Sequence, residues 1–358
     1  NCTRARSVQD PIRMEMGLNF FFHCGSNIDN LLHMKQLTSI LLLCLFGLSS
    51  CSFEKSPLRP NIILIMTDDQ GWFDAGFNGN TRIRTPHLDQ LASQGIILDR
   101  FYSASAVCSP TRASVITGRN PLRMNIPNAN SGHMPEEEIT LAEILSGAGY
   151  QTAFYGKWHL GTLTKNTLDA NRGGQDKFAA HYSIPSMHGY DKFFCTESKV
   201  PTCDPMLKPV EFDQGESLRF GWKAEANQEA SSSYGTAYWV GPELRDTINL
   251  EGDDSRVIMD RVIPFIKGAA EEGDPFFTTV WFHTPHLPVV ADADFRSLYD
   301  TASLEEQIYF GTISAMDEQV GRLWSTLEKL GIQEETLIWF CSDNGPENGT
   351  PGSTGGFR

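Results

Sequence analysis

Asn61-Ile62-Ile63-Leu64-Ile65-Met66 is a continuous apolar run between Pro60 and the polar turn Thr67-Asp68-Asp69-Gln70-Gly71-Trp72. A run this short, rich in β-branched residues and bounded by turn chemistry, predicts a strand buried on both faces, as in a parallel sheet. Working outward, residues 86–95 predict a helix with proline at its start and glycine at its end, and residues 96–102 predict the next strand. Residues 140–148 predict a helix closed by Gly149 and feeding a strand over 151–155. A helix over 254–267, a strand over 276–282, a largely helical stretch over 304–330 and a strand over 336–340 continue the alternation. Strands alternating with helices predict an α/β fold, a mostly parallel central sheet with helices on both faces. Residues 162–242 break the rhythm with many Gly, Pro, Ser and aromatic residues, and are expected to be surface loops that form a substrate-recognition wall. Trp222, Tyr234, Tyr238 and Trp239 in that stretch suit either stacking on sugar rings or local packing.

The chain has 358 residues, 40% hydrophobic and 20% charged, a composition that excludes disordered and fibrous classes and fits a large globular enzyme. Its net charge of −15 argues against general nucleic-acid binding, because a phosphate backbone rewards basic surfaces. An anionic small substrate remains compatible, since a local cluster of cations and metal can reverse the potential inside one pocket.

The N-terminal part reads as an address. Met34-Lys35-Gln36 is followed by the apolar stretch 37–47, of signal-peptide length and too short for a comfortable membrane span. The segment 34–51 ends in Leu48-Ser49-Ser50-Cys51, similar to a bacterial lipobox, in which Cys51 would carry lipid and attach the protein to a membrane. An ordinary cleaved signal peptide is the alternative, and both predict export, to the periplasm or beyond. Residues 1–33 start with Asn1, show no clear period, and are expected to be upstream sequence foreign to the native protein. Past the signal stand Cys108, Cys195, Cys203 and Cys341, too few for a dense disulfide framework. Cys195 and Cys203 are close enough in sequence to pair across their loop, and no cysteine spacing matches a zinc site.

Polar clusters follow several predicted strands, at the sheet edge where open α/β folds bind ligands. Asp68-Asp69 offers paired carboxylates, either a solvated turn or half of an oxygen-ligand site for calcium or magnesium. Asp343-Asn344-Gly345 after the last strand offers two more oxygen donors. In Gly156-Lys157-Trp158-His159-Leu160-Gly161, Lys157 and His159 are two apart on an extended segment, so both side chains can reach one pocket. In His283-Thr284-Pro285-His286-Leu287-Pro288, the prolines restrict the backbone and can aim an imidazole. Finally, Cys108-Ser109-Pro110-Thr111-Arg112 places a cysteine at the positive end of a predicted helix, with Arg112 one turn further on.

These five segments, in their order along residues 58–358, resemble the type I sulfatases, the formylglycine-dependent, arylsulfatase-like and N-acetylgalactosamine sulfatase-like members of the alkaline phosphatase superfamily. The resemblance implies that Cys108 is oxidised to 3-oxoalanine (formylglycine) by a maturation enzyme. It implies further that Asp68, Asp69, Asp343 and Asn344 bind a calcium ion together with residue 108. Arg112 would steady the aldehyde hydrate, Lys157 and His159 would contact hydrate and sulfate, and His286 would touch the substrate, with His283 the weaker candidate. The implied reaction is hydrolysis of a sulfate ester on a sulfated carbohydrate: one hydrate oxygen attacks sulfur while cationic groups offset the developing charge. The family pattern continues past Arg358 into a further lysine and a small C-terminal subdomain, so the sequence is expected to be a fragment of the whole enzyme. A phosphonate or phosphate ester hydrolase on the same scaffold, or an inactive glycan-binding homologue, are the competing readings.

Overall fold

The computed structural model describes residues 59–209 and 232–357. Its strands are β1 (Asn61–Thr67), β2 (Gln151–Lys157), β3 (Lys192–Thr196), β4 (Tyr238–Gly241), β5 (Leu244–Asp246), β6 (Phe276–Trp281) and β7 (Thr336–Ser342). They form one seven-stranded sheet in the order β5-β4-β3-β2-β6-β1-β7. All neighbours from β3 to β7 pair in parallel, and β4 and β5 close one edge antiparallel. The apolar run that opened the reading is β1, between β6 and β7, and its alternate side chains enter two different cores. Ile63 and Ile65 join one cluster, and Ile62, Leu64 and Met66 pack into the other. This is the period-two geometry of a strand covered on both faces, which is why the sequence shows no polar alternation there.

The described α-helices are α1 (Pro86–Gln94), α2 (Cys108–Thr117), α3 (Leu141–Gly147), α4 (Asp254–Glu272), α5 (Ala293–Ser297) and α6 (Leu304–Leu330). Val257, Ile258 and Ile266 of α4 and Ile313, Val320 and Leu323 of α6 cover the Ile63/Ile65 face. Ala113 and Ile116 of α2 and Ala142 of α3 cover the other. Ile63 and Ile65 are fully buried, and burying each contributes about 1.5–3 kcal/mol. Truncating Ile65 to alanine would cost about 2–5 kcal/mol.

Local signals set the helix ends. Thr140 and Ser303 each accept from the backbone N–H three residues on, while Glu143 and Glu306 reach back to them, forming capping boxes at the starts of α3 and α6. The long α6 stops at Gly331, whose φ of 70° closes the last turn in the left-handed region. Gly156 in β2 has a different role: a Cβ there would lie 1.9 Å from the Trp281 carbonyl oxygen. Only glycine lets β2 approach β6 this closely, one residue before Lys157.

Two expectations fail, and two open alternatives are decided. Residues 96–102 are not a strand; Ile96 and Tyr102 are 88% and 72% exposed, and the segment pairs with none of the seven strands. The stretch 162–242 is not all loop, since it contains β3 and β4. Tyr238 and Trp239 are buried in β4, Tyr238 stacked on Phe194 at 4.0 Å, so they are core residues and not sugar platforms. Trp222 lies outside the described residues. Cys195 and Cys203 are free thiols, Cys195 inside the sheet core and Cys203 packed with Val290 under a loop.

Candidate active site

The site is built on the carboxyl ends of adjacent strands. The β1–β7 register ends at Thr67 opposite Ser342, so the chain leaves both strands side by side, and the Asp343 N–H donates to the Thr67 carbonyl at 3.1 Å. Asp68 and Asp343 therefore emerge together. The Asp68 N–H donates to the Thr284 carbonyl at 3.0 Å, which ties the turn after β1 to the loop after β6. The peptide bonds Thr284-Pro285 and Leu287-Pro288 in that loop are cis.

Cys108 is the first residue of α2, whose N-cap Val107 is extended and supplies no side-chain cap, so the N-terminal dipoles face the site. Its Sγ lies 3.5 Å from Asp68 Oδ1. One turn on, Arg112 is fully buried; its Nη2 donates to Asp68 Oδ1 at 3.1 Å and to Asp343 Oδ2 at 2.8 Å. Arg112 Nη1 donates to the Lys157 carbonyl at 3.2 Å, and the guanidinium lies 5.0 Å from the centre of the Trp281 ring. Lys157 Nζ donates to Asp68 Oδ2 at 2.6 Å. Such buried pairs hold geometry; removing one partner strands a charge at a cost of about 3–5 kcal/mol.

Electrostatics follow from three buried carboxylates and two buried cations. Burial pushes Asp68 up, but Lys157, His286 and Arg112 outweigh it and hold the carboxyl well below its ordinary value. Asp69 is raised to about 6, by burial and then by the charge of Asp68. Asp343 is raised to about 7, again by burial and then Asp68. The set thus carries one more acid than it has cations, and full ionisation calls for another positive charge. Asp68, Asp69, Cys108 and His286 offer ligand atoms within 4.8 Å of one another. Asn344 Nδ2 donates to Asp69 Oδ1 at 2.5 Å, while Asn344 Oδ1 is buried without a hydrogen-bond partner. Asp343 Oδ1 accepts from the Asp69 N–H at 3.2 Å. Surplus carboxylate charge and an orphaned amide oxygen fit a hard divalent cation.

The histidines separate. His286 Nδ1 donates to the Leu287 carbonyl at 2.6 Å, which leaves Nε2 bare at 3.5 Å from Asp69 Oδ2. Burial, then Lys157, lowers its pKa to about 4. His159 is held well below its ordinary value by burial, then Lys157 and Arg112. His283 is fully buried and turned away, with Nδ1 2.7 Å from Asp254 Oδ2 and Nε2 2.7 Å from Thr196 Oγ1. The Cys108 thiol is pushed far up by burial, which outweighs Lys157, so the sulfur is not a thiolate nucleophile.

All nine predicted site residues thus lie at one edge of the sheet. Sequence reasoning missed His286 as part of the metal-competent cluster. It also missed Asn130, which bonds His159 at 2.9 Å and lies in an asparagine-rich loop with no distinguishing pattern. Lys199, which follows β3, was overlooked as well; burial and then Lys157 lower its pKa, while Glu347, Asp68 and Asp69 oppose the shift. Its only sequence signal is its position just after a strand.

Residues 60–357 match the Sulfatase family model. Mouse N-acetylgalactosamine-6-sulfatase is 31% identical over 86% of this chain and 54% of its own length. Bovine arylsulfatase A is 31% identical over 88% of this chain and 56% of its own length. The crystal structure of Ps i-CgsB in complex with k-i-k-neocarrahexaose aligns with a TM-score of 0.65 at 26% identity, over 83% of this chain and 61% of that one. The chain spans about half the length of the curated relatives it matches. Its fold is the alkaline phosphatase-like fold of those structural neighbours, and the chain belongs to the sulfatase family.

Proposed function

We propose that residues 58–358 form the catalytic domain of an enzyme that hydrolyses a sulfate ester on a sulfated carbohydrate, using a formylglycine made from Cys108 beside a calcium ion. The observation that carries this reading is the setting of Cys108: a buried thiol at a helix N-terminus, against Asp68 and one turn from Arg112, where burial pushes its pKa up. A nucleophile built on thiolate would need the opposite shift, whereas an aldehyde precursor has no need of ionised sulfur.

Asp68, Asp69, Asp343 and Asn344 would hold calcium together with residue 108. The ion supplies Lewis acidity and neutralises surplus carboxylate charge, and the formylglycine supplies a preformed oxygen nucleophile. The protein's own contribution is rigidity and charge. Arg112 and Lys157 are fully buried and pinned by Asp68 and Asp343, so their positive charge is fixed before substrate arrives. Both imidazoles are neutral near pH 7 and enter as proton acceptors; a bound sulfate's negative charge favours their charged forms, and a protonated imidazole can then serve the departing alcohol. Water is excluded from the buried charges, which strengthens each of these interactions.

A carbohydrate substrate is supported by the names of the relatives, among them N-acetylgalactosamine-6-sulfatase and the oligosaccharide complex of Ps i-CgsB. The loops within 162–242 would supply recognition. A formylglycine-generating enzyme is the implied maturation partner. Export, with lipid on Cys51, rests on residues 34–51, which lie outside the described residues; among the described residues no helix is long and apolar enough to cross a membrane. The test is to express the full-length protein with a formylglycine-generating enzyme and assay sulfated monosaccharides and oligosaccharides against phosphate diesters. Sulfate release is expected, and a strong preference for the diester would overturn the assignment.

A further inference from the structure

Asn130 and His159 are both non-glycine residues in the left-handed region, with φ of 57° and 53°. That conformation is uncommon outside glycine, though asparagine and histidine adopt it more readily than most residues, and it persists where surrounding bonds hold it. Those bonds are present. The His159 N–H donates to the Glu197 carbonyl at 2.9 Å, and its own carbonyl accepts from Ser109 Oγ at 2.7 Å. The Glu197 carboxylate accepts from the Arg172 N–H at 2.8 Å, and Arg172 Nη1 donates to the Asn130 carbonyl at 3.0 Å. Asn130 Oδ1 then meets His159 Nε2 at 2.9 Å. The circuit closes on itself: His159, Glu197, Arg172, Asn130 and back to His159.

The direction of that last bond decides which face of the imidazole is reactive. Asn130 Oδ1 also accepts from Asn171 Nδ2 at 2.8 Å, so in this arrangement one amide oxygen serves two donors. The His159 ring therefore donates from Nε2. Its Nδ1 is buried and has no hydrogen-bond partner. Building on the sulfatase reading, we infer that Asn130 is a positioning residue that locks His159 as the Nε2–H tautomer, so that Nδ1 is the atom available to accept a proton in the site. The lowered pKa of His159 agrees with a single ring proton. Flipping both amides together would reverse the assignment; Nδ1 is unpaired either way, and an orphaned buried N–H is rarer than an under-satisfied acceptor, which favours the Nε2–H form.

The test combines a ring readout with kinetics in the full-length protein. Long-range proton–nitrogen NMR of the histidine-labelled protein without substrate, assigned through His159→Gln, reports which nitrogen carries the proton. Protonated Nε2 with bare Nδ1 is expected; protonated Nδ1 would overturn the inference. Asn130→Gly keeps the left-handed backbone and removes only the acceptor. It should mix the two tautomers and lower kcat about 10–100-fold, with KM little changed. Asn130→Asp restores an acceptor and should recover most of kcat and the Nε2–H form. An unchanged tautomer in folded Asn130→Gly, a loss confined to KM, or no recovery in Asn130→Asp would each contradict it. Failure of the wild type to release sulfate would overturn the enzymatic reading instead, and would leave the ring measurement to stand or fall by itself.

Discussion

His283 and His286 sit three residues apart on one turn, and the His286 N–H donates to the His283 carbonyl at 2.7 Å. Their surroundings are opposite. His283 spends both ring nitrogens on Asp254 and Thr196, inside a core that also places the Tyr238 hydroxyl on Asp254. His286 spends one nitrogen on its neighbour's carbonyl and leaves the other among Asp68, Asp69 and Cys108. The lesson is that hydrogen-bond saturation, not membership of a motif, separates a structural histidine from a reactive one. A ring with no free nitrogen can do no proton chemistry.

Mutation should split the pair. His286→Gln removes proton transfer while keeping a polar side chain of similar reach, and should lower kcat/KM about 10²–10⁴-fold with little change in Tm. His283→Leu should do the reverse. It leaves Asp254 buried without its ring partner and should destabilise the fold by about 3–5 kcal/mol in denaturant titration, while any folded fraction keeps near-normal turnover. If His283→Leu were stable and inactive, the assignment of roles would be reversed.

A smaller effect tests the ground on which both stand. Glu197, next to Thr196, is raised to about 7 by burial and then by Asp169. Its folded value exceeds the ordinary 4.5, so its contribution to stability is complete below that pH and is lost as pH rises through about 7. The size is about 3 kcal/mol at most. Glu197→Gln should flatten the fall in denaturant stability between those two pH values; an unaltered slope would show that the carboxyl titrates normally.

Much of the architecture was legible because it rests on periodicity. The runs 61–66 and 276–282 have no polar face, which is what burial on both sides demands. The acids after β1 and β7 were legible as a pair because parallel neighbours bring their carboxyl ends together. Residues 96–102 misled for the same reason that 61–66 succeeded: an apolar β-branched run states a preference, while a strand also needs backbone pairing, and this segment pairs with none of the described strands. Tyr238 and Trp239 were ambiguous because aromatic side chains suit a sugar face and a core equally. Asn130 was invisible since its significance lies in a circuit of four residues brought together by the fold.

The most direct measurement is the mass of the peptide containing residue 108, taken from full-length protein that has been matured and releases sulfate. The account predicts an aldehyde at that position, the thiol replaced by a carbonyl oxygen, and loss of sulfate release in Cys108→Ala. An unmodified cysteine in a preparation that hydrolyses sulfate esters at full rate would contradict it.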